Sequence, residues 1–225
     1  MSISVEEAAL ALIERRKARE SLMPFVTLTK PDFEVGVHHQ VIANSLQRVE
    51  SGDCKRLMIF CPPRHTKSEL ATRRFPAWYL GRNPKAQIIS ASYNSELSSD
   101  FGREVRNLVS SGVYSKVFPD AKLSEDSQAA NRWHLKTGGA YIAAGVGTAI
   151  TGRGANLAIV DDPIKDRQEA DSETIRNRIW DWYRSVLYTR LMPEGAIVVI
   201  QTRWHDDDLA GRLIAEEDDG GDKWE

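Results

Sequence analysis

A chain of 225 residues with 41% hydrophobic and 28% charged content suits one large α/β domain or two small ones, and one is expected. No apolar run approaches the roughly 18 residues of a membrane span and no signal-peptide pattern opens the chain, which argues against spanning or secretion and points to the cytosol. Net charge is −2, but residues 206 to 225 hold nine acids and two bases, a net of −7, leaving a mildly basic body of about +5 that is compatible with a polyanion partner; the acidic end reads as solvated or as the start of a linker.

The first element is a helix opened by the capping box Ser4-x-x-Glu7, with Val5, Ala8, Ala9, Leu12 and Ile13 at helical spacing. It turns basic at Arg15, Arg16, Lys17 and Arg19, as an exposed face or a DNA or partner contact would. Residues 24 to 31 read as irregular chain, and residues 1 to 35 together as a peripheral lead-in. A helix then starts at His38-His39-Gln40 with Val37, Val41, Ile42, Leu46 and Val49 on one face. Adjacent histidines on a helix point about 100° apart and are poor joint metal ligands. The Gln40 carboxamide both donates and accepts, as the N6 and N7 edge of adenine requires, although an exposed glutamine needs no such role.

Leu57 to Phe60 is an apolar strand, followed by Cys61-Pro-Pro-Arg-His-Thr-Lys-Ser68 and a helical pattern through Leu70 and Ala71 toward Leu80. Strand, loop and Lys-Ser on a helix N-terminus is how a P-loop holds a nucleotide: amides and helix dipole face the phosphates, Lys67 reaches the β/γ oxygens and Ser68 ligates Mg²⁺. Cys61 and Thr66 stand at the two glycine positions of G-x-x-x-x-G-K-S/T, and a positive φ at Thr66 would be costly for a β-branched residue. Cys54 and Cys61 have no metal-ligand spacing.

After the turn Gly81-Arg-Asn-Pro84, residues 87 to 91 form a short strand ending in Ser90-Ala-Ser-Tyr93, and an amphipathic helix follows with Leu97, Phe101, Val105, Leu108 and Val109 inward. Residues 119 to 131 read as loop, and 132 to 136 with 140 to 145 as a hairpin around Thr137-Gly-Gly139. A Gly-rich stretch, 145 to 154, leads into Leu157-Ala-Ile-Val-Asp-Asp162. An apolar strand delivering acids at its C-terminal end, downstream of a P-loop, is the Walker B arrangement: Asp161 to hold Mg²⁺ and Asp162 to activate the attacking water. A long helix starts at Asp171, with Ile175, Ile179, Trp182, Val186, Leu187 and Leu191 on its apolar face. Pro193-Glu-Gly195 is a turn, residues 196 to 200 a buried strand, and 206 to 214 a helix. Polar residues leaving that last strand, Gln201-Thr-Arg-Trp-His205, face the same edge as the P-loop, where open α/β sheets bind ligands.

Taken together, His39-Gln40, Pro62 to Ser68, Ser90 to Tyr93, Thr151-Gly-Arg-Gly154, Val160-Asp-Asp-Pro163 and Gln201 to His205 resemble, in order and over nearly the whole chain, the N-terminal ATPase domain of the viral DNA-packaging terminase large subunit. The resemblance implies an α/β P-loop NTPase fold of the RecA/ASCE type, mostly parallel with helices on both faces. It implies an ATP- and Mg²⁺-dependent motor that drives double-stranded DNA through a portal into a preformed capsid in the host cytoplasm. The portal protein, a small terminase subunit and further copies in a ring would be its partners, with no membrane. It assigns adenine reading to Gln40 and γ-phosphate sensing to Arg64. Nucleotide contacts fall to Pro63, Arg64, His65, Thr66, Lys67, Ser68 and Glu69, metal binding to Ser68 and Asp161, water activation to Asp162, and coupling to a motif beginning at Thr202. Arg153 sits where some members place an arginine finger acting on a neighbour's nucleotide, and could equally be a loop arginine touching DNA or solvent. Two departures stand out: Thr66 replaces the usual Gly, and Asp162 replaces the usual Glu, one methylene longer. Residues 1 to 225 would all be motor domain, 206 to 225 leading toward an RNase H-type nuclease domain that this sequence does not contain. Asp206, Asp207 and Asp208 are not its acids, since three consecutive helical residues cannot face one metal. Rival readings are a helicase-like translocase on the same core, a nucleotide- or DNA-binding scaffold without turnover, and a metal nuclease built from Asp161, Asp162 and His205, which leaves Lys67-Ser68 unexplained.

Overall fold

The computed structural model describes residues 4 to 150, 152 and 154 to 225. Its centre is a seven-stranded sheet in the order β1-β7-β6-β2-β5-β4-β3. The strands are β1 (Arg56–Phe60), β2 (Gln87–Ser92), β3 (Leu123–Gln128), β4 (Arg132–Leu135), β5 (Ala140–Gly145), β6 (Ala155–Asp161) and β7 (Leu191–Gln201). β1, β7, β6, β2 and β5 run parallel, while β4 and β3 add an antiparallel hairpin at the far edge. The expected α/β fold, mostly parallel, is what forms; the hairpin expected from 132–136 and 140–145 is β4 against β5, and β3 adds a second antiparallel pairing outside it.

The central strands read as unbroken apolar runs because both of their faces are covered. Leu157 and Ile159 of β6 and Val198 and Ile200 of β7 point into one layer, under helices α1 (Val5–Glu20), α2 (Leu22–Thr29), α3 (Val37–Ser51), α4 (Phe75–Arg82) and α5 (Ser95–Val109). Ala158 and Val160, with Ile197 and Val199, point the other way, toward Ile179 and Trp182 of α8 (Glu173–Trp182) and Leu209 and Leu213 of α9 (Leu209–Asp218). Each such Ile, Val or Leu contributes about 1.5–3 kcal/mol by burial, so the strands that carry the site are also the best anchored. Short helices α6 (Gly112–Val117) and α7 (Arg167–Asp171) complete the α-helices, and a helical extension of α8 runs over Tyr183–Leu187 and Tyr188–Arg190. No helix among the described residues is long and apolar enough to cross a membrane.

Several expectations from the sequence are corrected. Residues 22 to 29 are helical rather than irregular: Pro24 falls in the first turn, where no N–H is needed, and Leu22, Phe25 and Val26 are fully buried. Residues 123 to 128 form an outer strand rather than loop, with irregular register against β4. Pro193-Glu-Gly195 lies inside β7 as a kink, Glu194 taking φ 66, opposite a register shift in β6. The helix from Asp171 is two: α7 ends there, and Ser172 caps α8 by accepting from the Ile175 N–H. The last helix starts at Leu209 with Asp208 as its cap, and runs on to Asp218.

Nor is the acidic end merely solvated. Asp222 pairs with Arg56 at 2.6 Å, Arg48 grips the Glu225 carboxylate, and the Glu225 backbone hydrogen-bonds Arg56 and Met58 along the open edge of β1.

Candidate active site

Three parallel strands deliver the site. β1 ends at Phe60 and runs into the loop 61 to 68. β6 ends at Asp161 and is followed by Asp162, and β7 ends at Gln201 and is followed by Thr202. β6 pairs with β7, and β7 with β1, so the three C-terminal ends lie side by side.

Lys67 ties them together. Its ammonium, buried by the loop, donates to Asp162 Oδ1 at 2.8 Å, Thr202 Oγ1 at 2.7 Å and the Cys61 carbonyl at 3.3 Å, one acceptor for each N–H. Asp162 Oδ1 also accepts the Thr202 N–H at 2.9 Å, and the Thr202 hydroxyl donates to Cys61 O. Asp162 has φ 43, a conformation that in a non-glycine residue costs about 1–3 kcal/mol and that the surrounding bonds must hold. One of those bonds, Tyr93 N–H to the Asp162 carbonyl at 3.2 Å, comes from the end of β2.

Asp161 is buried at the end of β6. Its Oδ2 accepts the Thr72 hydroxyl at 2.6 Å, while its Oδ1 has no hydrogen-bond partner among the described residues. Burial pushes this carboxyl up to about 6; the Thr72 hydroxyl opposes the shift, Asp162 adds to it, and the Ser68 hydroxyl and Lys67 oppose it further. A buried carboxylate oxygen without a partner, close to the Ser68 hydroxyl, fits a hard cation such as Mg²⁺. Thr72 was not foreseen. Its one legible sign is position: a hydroxyl residue one helical turn beyond Ser68, directly after Leu70 and Ala71. It sits in the widely wound segment Glu69–Arg74 that opens the helix after the loop.

The remaining predicted residues are placed as follows. Arg64 and Thr66 both take positive φ, 65 and 56, so the cost anticipated at Thr66 is real. Pro63, Arg64 and His65 are exposed, with His65 Nδ1 against the Pro63 carbonyl. Glu69 faces along its own helix and pairs with Arg74 at 2.8 Å. Gln40, exposed on α3, donates to Asn44 Oδ1 at 2.9 Å and lines a cleft of about 580 Å³ with Met23, Pro24, Leu28 and Pro31, a lining that includes none of the Lys67 cluster. Arg153 and Thr151 lie outside the described residues. His205 accepts the Asp207 N–H on Nδ1, and no group of three or more His, Cys, Asp or Glu among the described residues could hold a metal ion, so a nuclease site at Asp161, Asp162 and His205 gains no support.

Beyond Thr202 the chain is pinned by charge. Arg203 binds Asp208 at 2.7 Å, and Asp207 takes both Arg212 (2.7 Å) and Arg176 of α8 (2.9 Å). Arg212, with Arg176 behind it, holds the Asp207 carboxyl far below the usual range, so its contribution to stability is present above the ordinary carboxylate pKa and is lost only in strong acid. With Asp207 44% exposed, solvent screening reduces that contribution to on the order of 1 kcal/mol. Asp207→Asn should therefore lower Tm by a few degrees at neutral pH, measured by calorimetry; an unchanged Tm would show the clamp to be slack.

The family model described as terminase large subunit, T4likevirus-type, N-terminal, matches residues 58–224. Among solved structures, the large terminase of bacteriophage HK97 superposes with a TM-score of 0.56 at 14% identity, over 84% of this chain and 38% of that one, a likeness of fold. This chain therefore spans well under half of the HK97 protein. No curated protein matches the sequence. The family match covers most of the chain, including the end of β1, the loop after it, both acids and Thr202, and the chain belongs to the terminase large subunits of this type, as their N-terminal part.

Proposed function

We propose that the chain is the ATP-hydrolysing motor domain of a terminase large subunit, driving double-stranded viral DNA into a preformed capsid with the portal protein, the small subunit and further copies in a ring. The observation that carries this reading is the convergence of Lys67, Asp162 and Thr202 at the ends of three parallel strands. Ser68 and Asp161 would hold Mg²⁺, which neutralises phosphate charge. Lys67 would exchange its contacts with Asp162, Thr202 and Cys61 for phosphate oxygens. Asp162, released from Lys67, would then accept the proton of the attacking water. Thr202, bonded to both, would pass the change to the clamp at Arg203 and Asp207. Arg64, exposed and without an ion-pair partner among the described residues, would stabilise the transferring phosphoryl group, and Arg153 would add its charge from the same or a neighbouring subunit.

The test is Mg²⁺-dependent phosphate release over a wide range of protein concentration. Turnover per molecule should rise with concentration, and Arg153→Ala should flatten that rise. The closed Lys67–Asp162 pair and the strained Thr66 favour a second reading, a nucleotide-binding scaffold without turnover. Saturable ATP binding with no phosphate release, even with DNA and partner subunits added, would establish that reading instead.

A further inference from the structure

We infer that His39 is a positioning residue for the phosphate loop, required because Thr66 occupies a position where the backbone favours glycine. The inference rests on the nucleotide reading of the loop. Thr66 takes φ 56, in the left-handed region that a β-branched side chain resists. The residue is exposed, yet its hydroxyl is engaged. It donates to the carbonyl of His65 at 2.8 Å and meets His39 Nε2 at 2.5 Å.

One tautomer satisfies all three contacts. The Gly36 N–H donates to His39 Nδ1 at 2.8 Å, so Nδ1 is the acceptor and the ring proton sits on Nε2. The Thr66 hydroxyl has spent its one proton on His65, so Nε2–H donates to Oγ1. The result is an unbroken chain of donors from Gly36 through His39 and Thr66 to His65, each group used in the direction it allows. His39 is itself held: it is buried on the first turn of α3, with the Phe33 ring centroid at 4.8 Å and that of His38 at 3.8 Å. Burial, with the neighbouring His38 acting the same way, lowers its pKa against opposing backbone contacts at His65 and Glu34, the direction that favours the neutral ring.

Glycine needs no such latch, since it reaches positive φ without steric cost. The threonine adds a cost and, through its hydroxyl, a handle. His39 takes the handle and sets the residue directly before Lys67. Adjacent placement of loop and ammonium makes this a matter of nucleotide affinity as well as of folding.

A double-mutant cycle tests it on the whole chain, reading the affinity for a fluorescent ATP analogue with Mg²⁺. In the natural background His39→Ala should weaken binding about tenfold, and in the Thr66→Gly background less than about twofold, the signature of two coupled residues. His39→Gln, which presents an amide donor in place of Nε2–H, should recover binding to within about threefold. Equal losses from His39→Ala in both backgrounds would overturn the inference and leave the nucleotide reading standing. The second arm needs no nucleotide: imidazole ¹⁵N shifts should report protonation at Nε2 of His39, and the Lys67 and Ser68 amide resonances should move on His39→Ala only where Thr66 is present. If the natural chain binds no nucleotide, the nucleotide reading fails, and this arm alone decides whether His39 holds the loop.

Discussion

Replacing Lys67 with alanine should lower Mg²⁺-dependent phosphate release by about 10²- to 10³-fold, the loss expected when one preorganised charge facing the transferring group is removed. The size of the effect follows from the setting. Lys67 is 5% exposed, and all three of its N–H groups point to named acceptors, so the ammonium is held in a prearranged site and screened less than a solvated one. A solvated lysine would give a far smaller effect. Folding should survive, because the core on both faces of the sheet is untouched and Asp162 keeps the Thr202 N–H. Circular dichroism and phosphate release on the same sample check both halves, and turnover at the natural rate in a folded Lys67→Ala chain would sink the proposed mechanism.

Asp161→Asn is expected to move stability and activity in opposite directions. Burial places the folded-state pKa of Asp161 at about 6 against an ordinary 3.8, so ionising it in the folded protein costs about 2–3 kcal/mol. The sign follows from the raised pKa. Below the unfolded value the group is neutral in both states and nothing is lost, and the cost grows as pH rises through about 6. Asparagine is close in shape, can still accept from Thr72 and carries no charge, so the metal-free variant should melt roughly 5–10 °C higher near pH 7.5, with the gain vanishing near pH 4. Mg²⁺ with nucleotide should stabilise the natural chain and leave the variant unmoved, and turnover should fall by at least about 10²-fold. A variant that melts no higher than the natural chain at neutral pH would show that burial does not govern Asp161, and equal stabilisation by Mg²⁺ would remove it from the metal site.

Much of the fold is readable because the central strands report their burial directly. β1, β2, β6 and β7 appear as short apolar runs, since a parallel strand covered on both faces carries no polar alternation. Lys67-Ser68, Asp161-Asp162 and Thr202 are readable for a related reason: each follows such a run, and the ends of parallel strands share one edge. α2 and β3 are missed where local signals mislead. Pro24 suggests a break but sits where a helix tolerates proline, and the mostly polar residues 123 to 128 form a strand because β4 supplies their ladder. The acidic end likewise looks solvated until Arg48 and Arg56, far away in sequence, are brought against it.

By itself, then, the order of residues determined which central strands form, which residues stand at their ends, and that Thr66 would be strained if the loop needed a positive φ. The tertiary structure decided what those residues do to one another. Lys67 meets Asp162 and Thr202 across 95 and 135 positions of chain, Thr72 turns its hydroxyl to Asp161 across 89, and His39 reaches Thr66 across 27. Periodicity and turn chemistry act over one or two turns of chain, whereas hydrogen bonds act over about 3 Å of space, and it is the pairing of β1, β7 and β6, with α3 packed against the helix after the loop, that brings these groups within that reach.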